Sequence, residues 1–334
     1  MNLKFSPLTY FRSLKSDRPA GLINLIKGYS TYLENNKINQ RTLINYIGSL
    51  KKFYQFIGDI EVKKISDEMI NKEFISHLRE LQGLSLSTAM MTLQHLRYFF
   101  QYLENINIES LNSDKIIDKK INNTILKEHR TSYHRDFLED EELEALLNYW
   151  RNSEHGVNPR MMRNQLIIQI LADTGMTVHE MTLLFRDNVD LKKGTINIQY
   201  KNSKYYYKNR ELDLPRATLG LLEKYFDLRK DRCQCLVVAF KPQNEFIVEA
   251  WPLTERSIQR IVVDTLKNVG INKKITPSVF RNTKFLDLYK REVRVSEIKR
   301  LMGINPSSTS YFRYIRNYKH KNYRYNLPFK ESND

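Results

Sequence analysis

The chain has 334 residues, 41% of them hydrophobic and 28% charged, with 54 Lys and Arg against 38 Asp and Glu for a net charge of +16. That length suffices for two domains with separate cores, the mixture excludes fibrous and disordered classes, and the basic excess favours phosphate-bearing partners without dictating a fold. No apolar run approaches the roughly 20 residues of a membrane span, the start Met1–Pro7 lacks a signal-peptide shape, and Cys233 and Cys235 are too close for an ordinary disulfide and too few for zinc, so a reduced, cytoplasmic chain without metal or cofactor is expected.

From Gly21 to about Ile108 the apolar residues recur at helical spacing. Leu22, Ile23, Ile26, Tyr29 and Leu33 make one stripe. Thr42, Leu43, Tyr46, Ile47, Leu50, Phe53, Tyr54 and Ile57 make a second, stopped by Gly58-Asp59. A third helix is predicted from Asp67 to Leu81, and a fourth from near Ser87 carries Met91, Leu93, Leu96, Phe99, Phe100 and Leu103. The four form a bundle whose polar faces hold Lys51, Lys52, Arg79 and Arg97. Residues 109–135 are polar and charged and read as a linker, and residues 1–20 as an N-terminal extension.

The second part opens at Phe137 with an acidic first turn leading into an apolar helix. Arg163 to Leu171 reads as a buried helix ending at Thr174-Gly175, and Val178 to Phe185 as another. Gly194–Tyr200 alternates as a strand, Asn202-Ser203 turns the chain, and Glu211–Pro215 returns as a second strand. From Ala217 onward the pattern is mostly helical.

Three stretches carry a resemblance. Leu171-Ala172-Asp173-Thr174-Gly175-Met176-Thr177-Val178-His179-Glu180-Met181-Thr182-Leu183-Leu184 is similar to a Thr-Gly-x-Arg-x-x-Glu-Leu signature. Thr276–Thr283 contains Arg281, and Leu301–Ile304 is followed by Tyr311-Phe312-Arg313-Tyr314. In order and spacing these resemble the catalytic boxes of tyrosine recombinases of the phage-integrase and Xer type. The resemblance implies a mainly α, two-domain DNA clamp. It comprises a four-helix core-binding domain over 21–108, a mostly helical catalytic domain with a small antiparallel hairpin over 136–316, and a basic, aromatic tail over 317–334.

The family's chemistry is attack of a tyrosine hydroxyl on a DNA phosphodiester with expulsion of the 5′ oxygen, leaving a phosphotyrosine ester. Two arginines and a histidine or tryptophan clamp the non-bridging oxygens, a hairpin lysine protonates the leaving oxygen and a further histidine assists. Carried over by position, the first clamp arginine falls at Thr177, the lysine at Lys201 (with Lys204 and Lys208 as neighbours in another register), the assisting histidine at Ser278 and the second clamp arginine at Arg281. The position for His or Trp is Ile304, which packs and cannot bond phosphate, and the nucleophile's position is Arg313. Tyr314 or Tyr311 then stands as the candidate nucleophile, and Arg313, Arg316 or Lys284 as substitute charge. His179 lies off the Thr177 face of its helix and reads as core or surface.

Double-stranded DNA is the expected partner, met by phosphate contacts spread over both domains. Lys204, Lys208 and Arg210, interleaved with Tyr205–Tyr207, are the local candidates for contact, joined by Lys51, Lys52, Arg97, Lys284, Arg313 and Arg316; a lysine-guarded hairpin edge is the competing reading of the first three. The resemblance further implies dimers or tetramers on DNA, packed through the tail, and DNA integration as in mobile elements. Alternatively, the chain is an inactive relative serving as architectural partner of an active recombinase or as a repressor.

Overall fold

A computed structural model describes residues 7–18, 21–116, 137–151, 158–200, 203–229, 231–240, 249–271, 276–309, 311 and 315. The chain divides into two compact units, Met1–Tyr133 and His134–Asp334. It is mainly α-helical with small antiparallel sheets.

The first unit is built on α2 (Leu22–Asn35), α3 (Gln40–Ile57) and α4 (Leu86–Asn105), with a further helical stretch over 67–81 that winds with π geometry at Met69–Phe74 and His77–Leu81. Its termini follow local chemistry. Asn39 accepts the Arg41 amide and Ser85 the Thr88 amide as N-caps, and α3 stops at Gly58. Leu22, Ile26, Ile47, Leu50, Phe53, Phe74, Leu93, Leu96, Phe99 and Phe100 are fully enclosed, each burial worth about 1.5–3 kcal/mol.

Two features depart from expectation. Part of the expected N-terminal extension is a helix, α1 (Pro7–Ser13), which buries Phe11 edge-on against Tyr54 at 5.7 Å between ring centres. Met91, placed on the inner stripe of α4, is exposed, because it stands two residues from Leu93 and therefore on the opposite side of the helix.

The second unit begins with α5 (Asp140–Arg151) and α6 (Pro159–Thr174), the latter capped by Asn158 with Pro at its first position. Next come α7 (Val178–Leu183), β1 (Val189–Asp190), β2 (Thr195–Ile198), β3 (Arg210–Asp213) and α8 (Arg216–Leu228). The remainder holds β4 (Val238–Phe240), β5 (Ala250–Pro252), α9 (Glu255–Asn268), α10 (Ser278–Lys290) and α11 (Val295–Leu301). The expected hairpin is the pair β2–β3, with Ile196 opposite Leu212 and Ile198 opposite Arg210, and β1 extends it to three strands. Between β2 and β3, Ser203–Lys208 winds as a 3-10 helix where a simple turn was expected. The stretch read as mostly helical also contains the β4–β5 pair. The second helix of the first box ends at Leu183, two residues short of expectation, because Phe185 turns extended and bridges to Cys235.

The core of this unit gathers α6, α8, α9 and the inner faces of β2–β4 around Leu166, Ile170, Ile196, Leu222, Tyr225 and Ile258. A second cluster joins Phe285 and Leu286 of α10 to Ile298, Met302, Ile304 and Ile315. The Gly175 turn falls within the stretch that builds the first cluster and the Leu301–Gly303 turn within the stretch that builds the second.

Candidate active site

The site grows from the end of α6. Gly175 ends that helix in the left-handed region at φ +62°, and a β-carbon there would lie 2.9 Å from Cβ of Lys284 and 3.0 Å from Cε of Met302. Only glycine allows this approach of the α6 terminus to α10 and to the turn after α11. Two residues on, Thr177 is the N-cap of α7 in a reciprocal capping box. Its hydroxyl accepts the Glu180 amide (3.2 Å), while the Glu180 carboxylate accepts the Thr177 amide (2.7 Å) and hydroxyl (3.0 Å). The Thr177 hydroxyl is thus committed to holding the helix start.

Arg281, on α10 and half-buried, reaches across to this turn. Its Nη1 donates to the Gly175 carbonyl (3.1 Å) and its Nη2 to the Met302 carbonyl. One turn earlier on the same helix, Ser278 is exposed and shares a hydrogen bond of 2.7 Å with Thr276. Thr177, Glu180 and Arg281, separated by about a hundred residues of sequence, are therefore brought to one place by Gly175 and the Leu301–Gly303 turn.

A second guanidinium stands there that was expected elsewhere. Arg210 was assigned to the DNA-facing hairpin surface, but its side chain is 0% exposed. The physical reason is strand alternation. Along β3, Arg210 and Leu212 point inward while Glu211 and Asp213 point outward. Arg210 donates from Nη1 to Glu180 (2.7 Å) and to the Lys208 carbonyl (2.8 Å), and from Nε to the Leu301 carbonyl (2.8 Å). Gly303, at φ +58°, packs so closely that a β-carbon would fall 2.6 Å from Nη1.

The electrostatics follow from this enclosure. Burial alone would raise the Glu180 carboxyl, but the Arg210 hydrogen bond and charge, the Thr177 amide and the charge of Arg281 outweigh it and hold the group below the usual carboxylate range. Tyr200, just after β2, is pushed upward by burial and by the Glu180 charge, against the opposing pull of Arg210 and Arg281. Its phenol is therefore held neutral and is no source of a phenolate. The ring of Tyr200 carries the Lys208 ammonium at 4.9 Å.

The other sequence candidates distribute as follows. Ile304 is buried in the cluster with Met302 and Ile315, as its side chain requires. Tyr311 is half-buried against that cluster, with the Lys299 ammonium 4.5 Å from its ring centre. Lys284 lies 3.5 Å from Asp287, and Arg97 is paired with Asp114. Lys51 sits 4.1 Å over the Tyr10 ring, and Lys52 is half-buried beside it in sequence. His179 is on the surface, 2.9 Å from Glu255. Lys201, Arg313, Tyr314, Arg316 and the side chain of Lys204 lie outside the described residues.

Sequence reasoning undervalued Glu180 and misplaced Arg210. Both carried a signal. Thr177-x-x-Glu180 is a capping-box pattern, and the alternation of Arg210, Leu212 and Leu214 puts the arginine on the apolar face. Among the described residues no three His, Cys, Asp or Glu side chains gather to hold a metal, and no helix is long and apolar enough to cross a membrane.

Comparison with known proteins bears on family and fold. The pattern of the Phage integrase family matches residues 136–321, and that of the phage integrase N-terminal SAM-like domain matches residues 25–110. The tyrosine recombinase XerC of Bacillus subtilis (strain 168) is 25% identical over 302 residues, covering 87% of this chain and 92% of its own. XerA of Thermococcus kodakarensis is 22% identical over 286 residues, covering 86% and 88%. Among solved structures, XerH recombinase bound to palindromic difH substrate in a post-cleavage complex superposes with a TM-score of 0.66 at 20% identity, over 95% of this chain and 91% of its own. A lambda integrase tetramer bound to a Holliday junction gives 0.63 at 16% identity, over 94% and 82%. At these identities the structural likeness speaks for the fold.

Proposed function

The chain belongs to the phage integrase family of tyrosine recombinases, and on that premise we propose that it is a site-specific DNA recombination protein that binds duplex DNA through both units and breaks and rejoins strands through a phosphotyrosine ester. The observation that carries the reading is the position of Arg281. In the segment matched to the family, it joins the Gly175 turn of the first box to the Leu301–Gly303 turn that leads towards the tyrosines.

In this reading Arg281 meets the non-bridging oxygens of the scissile phosphate, where negative charge grows in the transition state. A guanidinium has five N–H donors, and two hydrogen bonds to carbonyls leave others for the phosphate. The hydroxyl oxygen of Tyr314, or of Tyr311 beside the Ile304 cluster, attacks phosphorus, and its proton passes to water. The phosphorus bond to the 5′ oxygen breaks, Lys201 gives that oxygen its proton, and the tyrosine keeps the 3′ phosphate. Attack by a 5′ hydroxyl of another strand reverses each change, so the ester conserves the bond. Ser278, on the Arg281 face of α10, offers a neutral hydroxyl where the family places a histidine. Thr177 keeps its capping role and brings no charge. Lys208 and the other surface cations bind phosphates of the duplex, and the chain acts on DNA in the cytoplasm as an oligomer, a reading supported by the likeness to a lambda integrase tetramer bound to a Holliday junction.

The test is a covalent trap. A duplex selected from a random pool by the purified chain is nicked near its centre so that the cleaved end diffuses away. A protein–DNA adduct stable to denaturation, abolished by Tyr314→Phe or by Tyr311→Phe, supports the reading. Saturated DNA binding with no adduct contradicts it and leaves a non-cleaving DNA-binding relative.

A further inference from the structure

We propose that Arg210 is a positioning residue of the phosphate clamp, fixing Glu180 and the Leu301–Gly303 turn so that Arg281 is held in register for the scissile phosphate. The inference rests on the recombinase reading above and assigns a role that the family's boxes do not mark in this chain.

Four observations converge on it. Arg210 and Arg281 bind consecutive carbonyls of one turn, those of Leu301 and Met302, and so grip it from two different elements, β3 and α10. Both guanidinium charges act on the same carboxylate, Glu180, which is itself locked to the start of α7. Gly303 has the backbone conformation and the missing side chain that let the turn close on the Arg210 guanidinium. Arg210 also binds the Lys208 carbonyl, so the same side chain ties the base of the β2–β3 connection to the turn that holds Arg281.

The arrangement is costly as a stability device. A buried ion pair is at best a weak source of stability, and Nη2 of Arg210 is buried with no hydrogen-bond partner. An apolar residue opposite Ile198 would pack there without either cost. What an apolar residue cannot do is aim two backbone carbonyls and a carboxylate at once. The need is greater in this chain than in a relative with two clamp arginines, because the Thr177 hydroxyl is occupied and the phosphate charge falls to Arg281.

The experiment measures DNA affinity and so does not depend on cleavage. Single methylphosphonates, which replace one charged phosphate oxygen by methyl, are walked along both strands of a duplex selected by the full-length chain. Arg281→Ala identifies the clamped phosphate as the one where neutralisation weakens binding by wild type, by about tenfold or more, but not by the variant. At that phosphate Arg210→Met is expected to lose most of the penalty while keeping the penalties at the other phosphates. If the methionine variant does not bind, Arg210→Lys is read in the same way, since an ammonium cannot bridge Glu180 and the Leu301 carbonyl with the same fork. An undiminished penalty, penalties lost uniformly along the duplex, or absence of binding in both variants overturns the inference. A penalty that depends on Arg281 and not on Arg210 sinks this inference alone. A wild-type chain that selects no duplex, or shows no phosphate dependent on Arg281, sinks the recombinase reading and this inference with it.

Discussion

The two units of this chain bury different chemistry. Among the described residues of the first unit, the buried polar side chains are Ser49, Thr92, His95 and Ser113, and none is an ionised pair. The second unit buries Arg163, Glu180, Arg210, Arg229 and Asp231. The first is held by aliphatic and aromatic packing, with Ser49 and His95 satisfying each other at 2.8 Å. The second threads guanidinium groups through its turns. Arg229 collects the carbonyls of Cys233, Cys235 and Leu236 beside Asp231, and Arg281 and Arg210 collect those of the site. The difference teaches that apolar packing suffices to hold a helical bundle, whereas the second unit fixes its backbone turns with buried charge.

The contrast is broken most severely at Asp231. Asp231→Ala leaves Arg229 buried and uncompensated, and is expected to destabilise the second unit by about 3–5 kcal/mol. Denaturant melts read by hydrogen exchange should show the loss there and leave α2–α4 protected. Next in size, Arg281→Ala should slow adduct formation by roughly 10²–10³ while DNA affinity falls far less, because binding energy is spread over many phosphates. Single-turnover rates at saturating protein check it.

Acid should separate the two units. Burial depresses the His95 imidazole, so its contribution is full above the ordinary value near 6.5 and is lost as pH falls from there through its lowered folded value. Glu180 and Asp231, despite burial, are both held low by their arginines. Their contribution persists through that window and is lost only below the usual carboxylate range near 4. Exchange protection should therefore weaken first around α3 and α4, and in the second unit only at lower pH. The smallest effect is expected from Thr177→Ala, which removes a helix cap at a cost of about 1 kcal/mol and should leave the cleavage rate within a few-fold. A collapse of that rate would make Thr177 part of the chemistry.

The sequence made the helices legible wherever an apolar stripe was uninterrupted. Leu22, Ile26, Leu33, Ile47, Leu50, Phe99 and Leu103 are all buried where periodicity put them. It failed where a short element offered one anchor, as at Phe11 of α1, and where a residue was counted into a stripe by type instead of angle, as at Met91. In the site, the glycines and Arg281 were readable because the box order is local in sequence. The Arg210–Glu180 contact was missed, since basic residues in a tyrosine-rich run suggest a wet surface, and that impression outweighed the alternation with Leu212 that turns the arginine inward.

The most direct measurement of the central claim is mass spectrometry of the nicked-duplex trap. The account predicts one DNA-linked peptide, carrying a 3′-phosphate ester on Tyr314 or Tyr311 and reduced at least a hundredfold in rate by Arg281→Ala. A fully occupied duplex with no such peptide, or an adduct that forms as fast without Arg281, would contradict it.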